Sequence, residues 1–155
     1  MSKDVHVFFK HNETDALYET NTPYSFTIQL PEELNTKQYV WECCLKELCI
    51  TRPANLSGVF AVYADLVRNS PVYGAQAPIL RTFHLQDIPQ KLAFPTIDYL
   101  EFHSSLFFPV HKNILKTIRF YIRPAPPSDK TLTAASYKTL ISSSGVLTLR
   151  GRLKY

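Results

Sequence analysis

The chain has 155 residues, of which 45% are hydrophobic, 13% aromatic and only 19% charged, with a formal net charge of +4. That balance excludes a disordered chain and is enough for one domain with a sizeable core; it is too mildly basic to indicate nucleic-acid binding by itself. Eleven prolines against four glycines break long helices and suit short strands joined by ordered turns.

In chain order, Val5, Val7 and Phe9 alternate with His6, Phe8 and Lys10, the period-two pattern of a strand. The polar stretch from His11 to Pro23 reads as a long loop. Tyr24, Phe26, Ile28 and Leu30 alternate with Ser25, Thr27 and Gln29, giving the cleanest strand signal in the chain. Pro31 is expected to stop that strand, with a turn from Pro31 to Lys37. Tyr39 to Ile50 is the expected central strand. Tyr39, Trp41, Cys43 and Leu45 fall on one face, and Val40, Glu42, Cys44 and Lys46 on the other. After Leu45 the phase slips by one, so that Leu48 and Ile50 become the apolar partners, and a slip inside a strand calls for a bulge or bend. An amphipathic helix is the rival reading, since Val40, Cys44 and Leu48 are four apart; the β-branched and aromatic start favours the strand.

Cys43, Cys44 and Cys49 are the chain's three cysteines, all in this strand, with no CxxC pair. Neighbours on one strand rarely have disulfide geometry, so they are expected to be reduced, buried and structural. The opening MSKDVH is polar and no apolar run reaches membrane-spanning length, so no signal peptide and no membrane span are expected. A reducing compartment follows, in which the acceptor patterns at Asn12 and Asn55 stay unmodified.

Thr51 to Asn55 ends the central strand. Val59 to Leu66 reads as a strand with Phe60, Val62, Ala64 and Leu66 on one side, and Tyr63 and Asp65 on the other. Turns are expected at Arg68 to Pro71 and Gly74 to Pro78, then a strand from Ile79 to Leu85. Gln86 to Pro95 is irregular, and Tyr99 to Phe108 is extended in part. Ile118, Phe120 and Ile122 alternate with Arg119, Tyr121 and Arg123 in a strong strand closed by Pro124, Pro126 and Pro127. Pro124 to Ser144 is a long loop with room for a short helix around Leu132 to Leu140. Gly145 opens the last strand, with Leu147, Leu149 and Leu153 on one side and Thr148, Arg150, Arg152 and Lys154 on the other.

About eight short strands without a βαβ rhythm indicate an all-β fold: a single jelly-roll β-sandwich spanning residues 1–155, its antiparallel strands in two sheets. A seven-stranded immunoglobulin-like sandwich is the nearest competitor.

No catalytic motif is present: GxSxG, P-loop, HExxH and dinucleotide fingerprints are all missing. The five histidines are scattered, none at metal-ligand spacing from another His or Cys, so neither metal nor cofactor is expected. Cys43 would need a cationic, partly exposed setting to be reactive, and its face points to the core beside Trp41. The most pointed polar feature is basic: Arg119, Arg123, Arg150, Arg152 and Lys154 all lie on non-core faces of two strands. If those strands are neighbours, the five form one positive patch. A solvated face is the commonest fate of such charges; contact with an acidic neighbouring subunit or with packaged DNA are the alternatives.

The order of short elements along the chain resembles a known family. It runs from Val7-Phe8-Phe9 through Tyr18, Asn21-Thr22, Phe26-Thr27 and Leu30-Pro31 to Trp41-Glu42 and Leu45. It continues through Val62 to Val67, Val72-Tyr73-Gly74 and Ile79-Leu80-Arg81, and closes on Ile118 to Ile122 and Gly145 with Leu147 and Leu149. This resembles the penton-like minor capsid proteins of Polinton (Maverick) elements and of adintovirus- and adomavirus-type DNA viruses. The resemblance implies a virion protein made in the host cytoplasm or nucleus. It implies a homopentamer at the icosahedral vertex beside a double jelly-roll major capsid protein, acting by assembly rather than as an enzyme. Cys43 and Cys44 depart from the small or Val-like residues expected there, and the loop from Pro124 to Ser144 is longer and richer in proline. On this reading Phe8, Val40, Tyr63 and Tyr121, apolar on nominal outer faces, are candidate subunit contacts. The alternative is a receptor- or carbohydrate-binding jelly-roll module of the fibre-head kind.

Overall fold

The computed structural model describes residues 2–12, 20–72, 75–88, 95–103, 106–112, 115–125 and 137–154. Its strands are β1 (Ser2–Lys10), β2 (Ser25–Leu34), β3 (Tyr39–Arg52), β4 (Gly58–Ala64), β5 (Ser70–Val72), β6 (Ala75–Ala77), β7 (Ile79–Leu85), β8 (Thr96–Glu101), β9 (Phe108–Pro109), β10 (Leu115–Pro124) and β11 (Ser142–Leu153).

Two sheets carry the fold. The first has the order β1-β11-β3-β8, with the short β9 also pairing β3, and the second has the order β2-β10-β4-β7. Every ladder in them is antiparallel. This is the order produced when one long hairpin is wound up: the successive pairs β1–β11, β2–β10, β3–β8 and β4–β7 fall alternately in the two sheets, and β11–β3 and β10–β4 contacts complete each one. The architecture is the expected all-β jelly-roll sandwich, with β5 and β6 as a separate hairpin between β4 and β7.

The inner faces meet in one core. Phe9 from the first sheet stacks on Phe120 from the second, with centroids 4.6 Å apart, and Phe26 joins them at 5.3 Å from Phe120. Trp41, Cys43, Leu45, Leu48 and Ile50 line the inner face of β3, which sits between β11 and β8 as the central-strand reading expects. The phase slip after Leu45 is a bulge. Leu45 opposes Leu147 and Glu47 opposes Val146, which leaves Lys46 as the extra residue. One added residue restores the alternation, so apolar side chains on both sides of it reach the core.

Two glycines of β11 make room for aromatic rings. Gly151 pairs with Trp41, and a Cβ there would lie 2.9 Å from the indole. Gly145 pairs with Phe9, and a Cβ there would meet the Phe9 ring at 2.8 Å as well as the Glu47 carbonyl. The Trp41 indole N–H is satisfied by the Asn35 carbonyl at 2.9 Å.

Four local expectations need correction. Pro31 does not end β2, which runs on to Leu34; β2 is an edge strand, where a missing N–H costs no ladder bond if it faces outward. The turns expected at Arg68 to Pro71 and Gly74 to Pro78 largely give way to the β5–β6 hairpin, whose Ser70 pairs with Ala77. Leu153, expected beside Leu147 and Leu149, is exposed at the strand end. Cys44, expected on the face nearer water, is fully buried. Tyr18, Tyr73 and Gly74 lie outside the described residues, as does most of the stretch suggested as a helix from Leu132 to Leu140.

Candidate assembly surface

Because strand residues alternate, the outer face of the first sheet is set by the same pattern that fills the core. Phe8 on β1 opposes Val146 on β11, which in turn opposes Glu47 on β3. In the next row Lys10 opposes Ser144, Ser144 opposes Cys49, and Cys49 opposes Tyr99 on β8. These rows form a groove of about 380 Å³ that crosses all four strands. Its apolar rims stand in solvent: Phe8 is 72% exposed and Tyr99 60%; outside the groove, on the same face of β8, Ile97 is 69% exposed. Glu47 supplies the polar floor of the groove. The Tyr99 hydroxyl hydrogen-bonds to that carboxylate, and this bond, with the negative charge behind it, holds the phenol above its ordinary pKa.

The four apolar contact candidates do not form one surface. Phe8 lies in the groove. Val40, 55% exposed, belongs to the same sheet but sits at the start of β3. Tyr63 and Tyr121 oppose each other on the second sheet and are only half-buried. The Tyr63 hydroxyl donates to the Pro124 carbonyl at 3.2 Å. Ile97 was not singled out from the sequence; its spacing of two from Tyr99 is the signal that marks both as one face.

The single basic patch is contradicted by the topology. Arg119 and Arg123 are on β10 of the second sheet, whereas Arg150 and Arg152 are on β11 of the first. The outer faces of stacked sheets point away from each other, so the two groups cannot merge. Their electrostatics also differ. Arg150 pairs with Asp4 at 3.2 Å and lies over the Phe107 ring, and Arg152 pairs with Glu42 at 3.1 Å. Arg119 and Arg123 instead bracket the Tyr121 ring, 5.0 and 4.7 Å from its centroid, and neither pairs with a carboxylate among the described residues. Lys154 follows β11 at one end of the sandwich.

Interior chemistry is structural. Cys43, Cys44 and Cys49 are free thiols; Cys43 and Cys44 are buried as expected, whereas Cys49 is only half-buried and lines the outer groove, and burial pushes the Cys43 thiol far above its ordinary pKa, opposite to what a nucleophile needs. Arg52, which the sequence marked only as the end of a strand, is completely buried. Its guanidinium meets both oxygens of Asp98 on β8, at 2.6 and 3.3 Å, and donates to the carbonyls of Ala54 and Leu56. Among the described residues no three His, Cys, Asp or Glu side chains gather as metal ligands, and no helix is long and apolar enough to cross a membrane. No family model, curated protein or solved structure matches the chain.

Proposed function

We propose that the protein is a structural virion component: a penton-like minor capsid subunit that closes a ring of five copies beside a double jelly-roll major capsid protein. The observation that carries this reading is the apolar groove across the outer face of the β1-β11-β3-β8 sheet, on a jelly-roll scaffold. Phe8, Ile97 and Tyr99 are large side chains left in water. Burying each against a neighbour stabilises a contact by about 2 kcal/mol, so three together offset a substantial part of the roughly 4–15 kcal/mol cost of association. The copies meet head to tail, and the ring closes by heterologous contacts about a fivefold axis. Arg119 and Arg123, whose guanidinium groups meet no carboxylate among the described residues, are the basic pair offered to an acidic neighbour or packaged DNA.

Negative-stain imaging of the purified protein, alone and mixed with the major capsid protein, tests the proposal. Rings are expected, and Phe8→Ser combined with Tyr99→Ser is expected to abolish them while leaving the melting temperature within a few degrees. Rings that persist in this variant would remove the groove from the contact. The fibre-head reading has one observation in its favour, the aromatic rims with a carboxylate between them. Trimers and hits on a glycan array would support it over the ring.

A further inference from the structure

A second cleft lies at one end of the sandwich, away from the apolar groove, and its chemistry is opposite. It measures about 280 Å³, and Arg68, His111, Lys112 and Lys154 line it together with Tyr39 and Trp41. Residues far apart in the chain converge there through backbone bonds. The bridge between Val67 and Val110 sets Arg68 beside His111 and Lys112. The His111 N–H donates to the Leu66 carbonyl at 3.0 Å, and the Val110 N–H to the Trp41 carbonyl at 2.9 Å. The Lys154 N–H donates to the Gln38 carbonyl at 2.9 Å, which brings the end of the chain's last strand to the start of β3.

Charge counting decides what the cleft takes. Arg68, Lys112 and Lys154 are permanent cations. Asp65 compensates one of them, holding the Lys112 ammonium at 2.6 Å. Neither Arg68 nor Lys154 meets a carboxylate among the described residues. Two positive charges therefore face a concave space, with His111 as a further ring N–H donor. A monocarboxylate would leave one of them uncompensated, whereas a phosphate dianion, or adjacent phosphodiesters, would match both and present several strong acceptors. Tyr39, half-buried, lines the cleft beside these cations.

We propose that this cleft is a phosphate-binding site. The proposal stands apart from the assembly reading, since it uses none of the groove residues. The phosphate has two sources, a free polyphosphate or a nucleic-acid backbone, and titration calorimetry in phosphate-free buffer distinguishes them with inorganic pyrophosphate and a short single-stranded oligonucleotide as probes. The full chain is expected to bind at least one. Arg68→Gln combined with Lys154→Gln is expected to weaken binding at least about tenfold, with the melting temperature unchanged because both side chains are exposed. The control Lys138→Gln, exposed in the turn that precedes β11 and so at the opposite end of that strand from Lys154, is expected to change it less than about twofold. Pyrophosphate that binds and displaces the oligonucleotide identifies a free anion as ligand; binding of the oligonucleotide alone identifies the polymer backbone. Absence of binding by either probe, or equal binding by the Arg68/Lys154 variant, overturns the proposal.

Discussion

Arg52 is the residue on which one end of the first sheet depends. Its buried guanidinium ties β3 to β8 through Asp98 and holds two carbonyls of the following loop. Replacing it with Met leaves Asp98 and both carbonyls without their donor, which costs about 3–5 kcal/mol. Chemical denaturation of Arg52→Met should read that loss, and adding Asp98→Leu should recover part of it; a single variant as stable as the parent would contradict the role. Nothing in the sequence distinguished Arg52 from a surface arginine, because its partner lies 46 residues away. A second residue makes the fold sensitive to acid. His11 accepts the Ser143 N–H at Nδ1, and burial lowers its pKa from the ordinary 6.5. As pH falls through 6.5 the unfolded chain takes up a proton before the folded chain does, so stability declines until the lowered folded value is passed. Melting temperatures compared between about pH 7.5 and pH 5.5 should drop for the parent more than for His11→Gln. Equal slopes would show that His11 does not report on folding.

At the level of elements, the alternation of apolar residues placed β2, β3, β7 and β10 because one face of each is buried in the core and the period of two holds over most of each strand. The slip within β3 was legible for the same reason, and its resolution as a bulge gives a test. Deleting Lys46 removes the unpaired residue and leaves Leu45 and Leu48 on the inner face, so the fold should survive. Deleting Glu42 instead turns Trp41 outward and should prevent folding; far-ultraviolet circular dichroism and cooperative melting separate the two outcomes. Periodicity fixes which way a side chain points but not which strand lies beside which. That is why the sequence leaves open whether β10 and β11, both basic on their outer faces, are neighbours; they belong to different sheets. The same limit hid the glycine–aromatic pairs. Gly151→Val would drive a branched side chain into the Trp41 ring, already 2.9 Å from the position of a single Cβ. Overpacking of this kind costs about 1–3 kcal/mol, and the lone tryptophan's emission should shift with it. An unchanged melting curve and spectrum would mean that β11 can retreat from the ring.

For the whole molecule, the winding of one long hairpin into two sheets accounts for both the buried core and the surface left over. The first sheet pairs Arg150 and Arg152 with its own carboxylates while exposing Phe8, Ile97 and Tyr99; the second carries Arg119 and Arg123, whose guanidinium groups meet no carboxylate among the described residues. The jelly roll was legible from strand count and rhythm. The groove was not, because it is made of single residues from four strands whose order only the fold supplies. On the assembly reading, that groove is where one copy ends and the next begins. Sedimentation equilibrium at high protein concentration, with and without the major capsid protein, tests this most directly. A mass of five chains, reduced to one by Phe8→Ser with Tyr99→Ser, is the predicted result. A strict monomer under both conditions would contradict it.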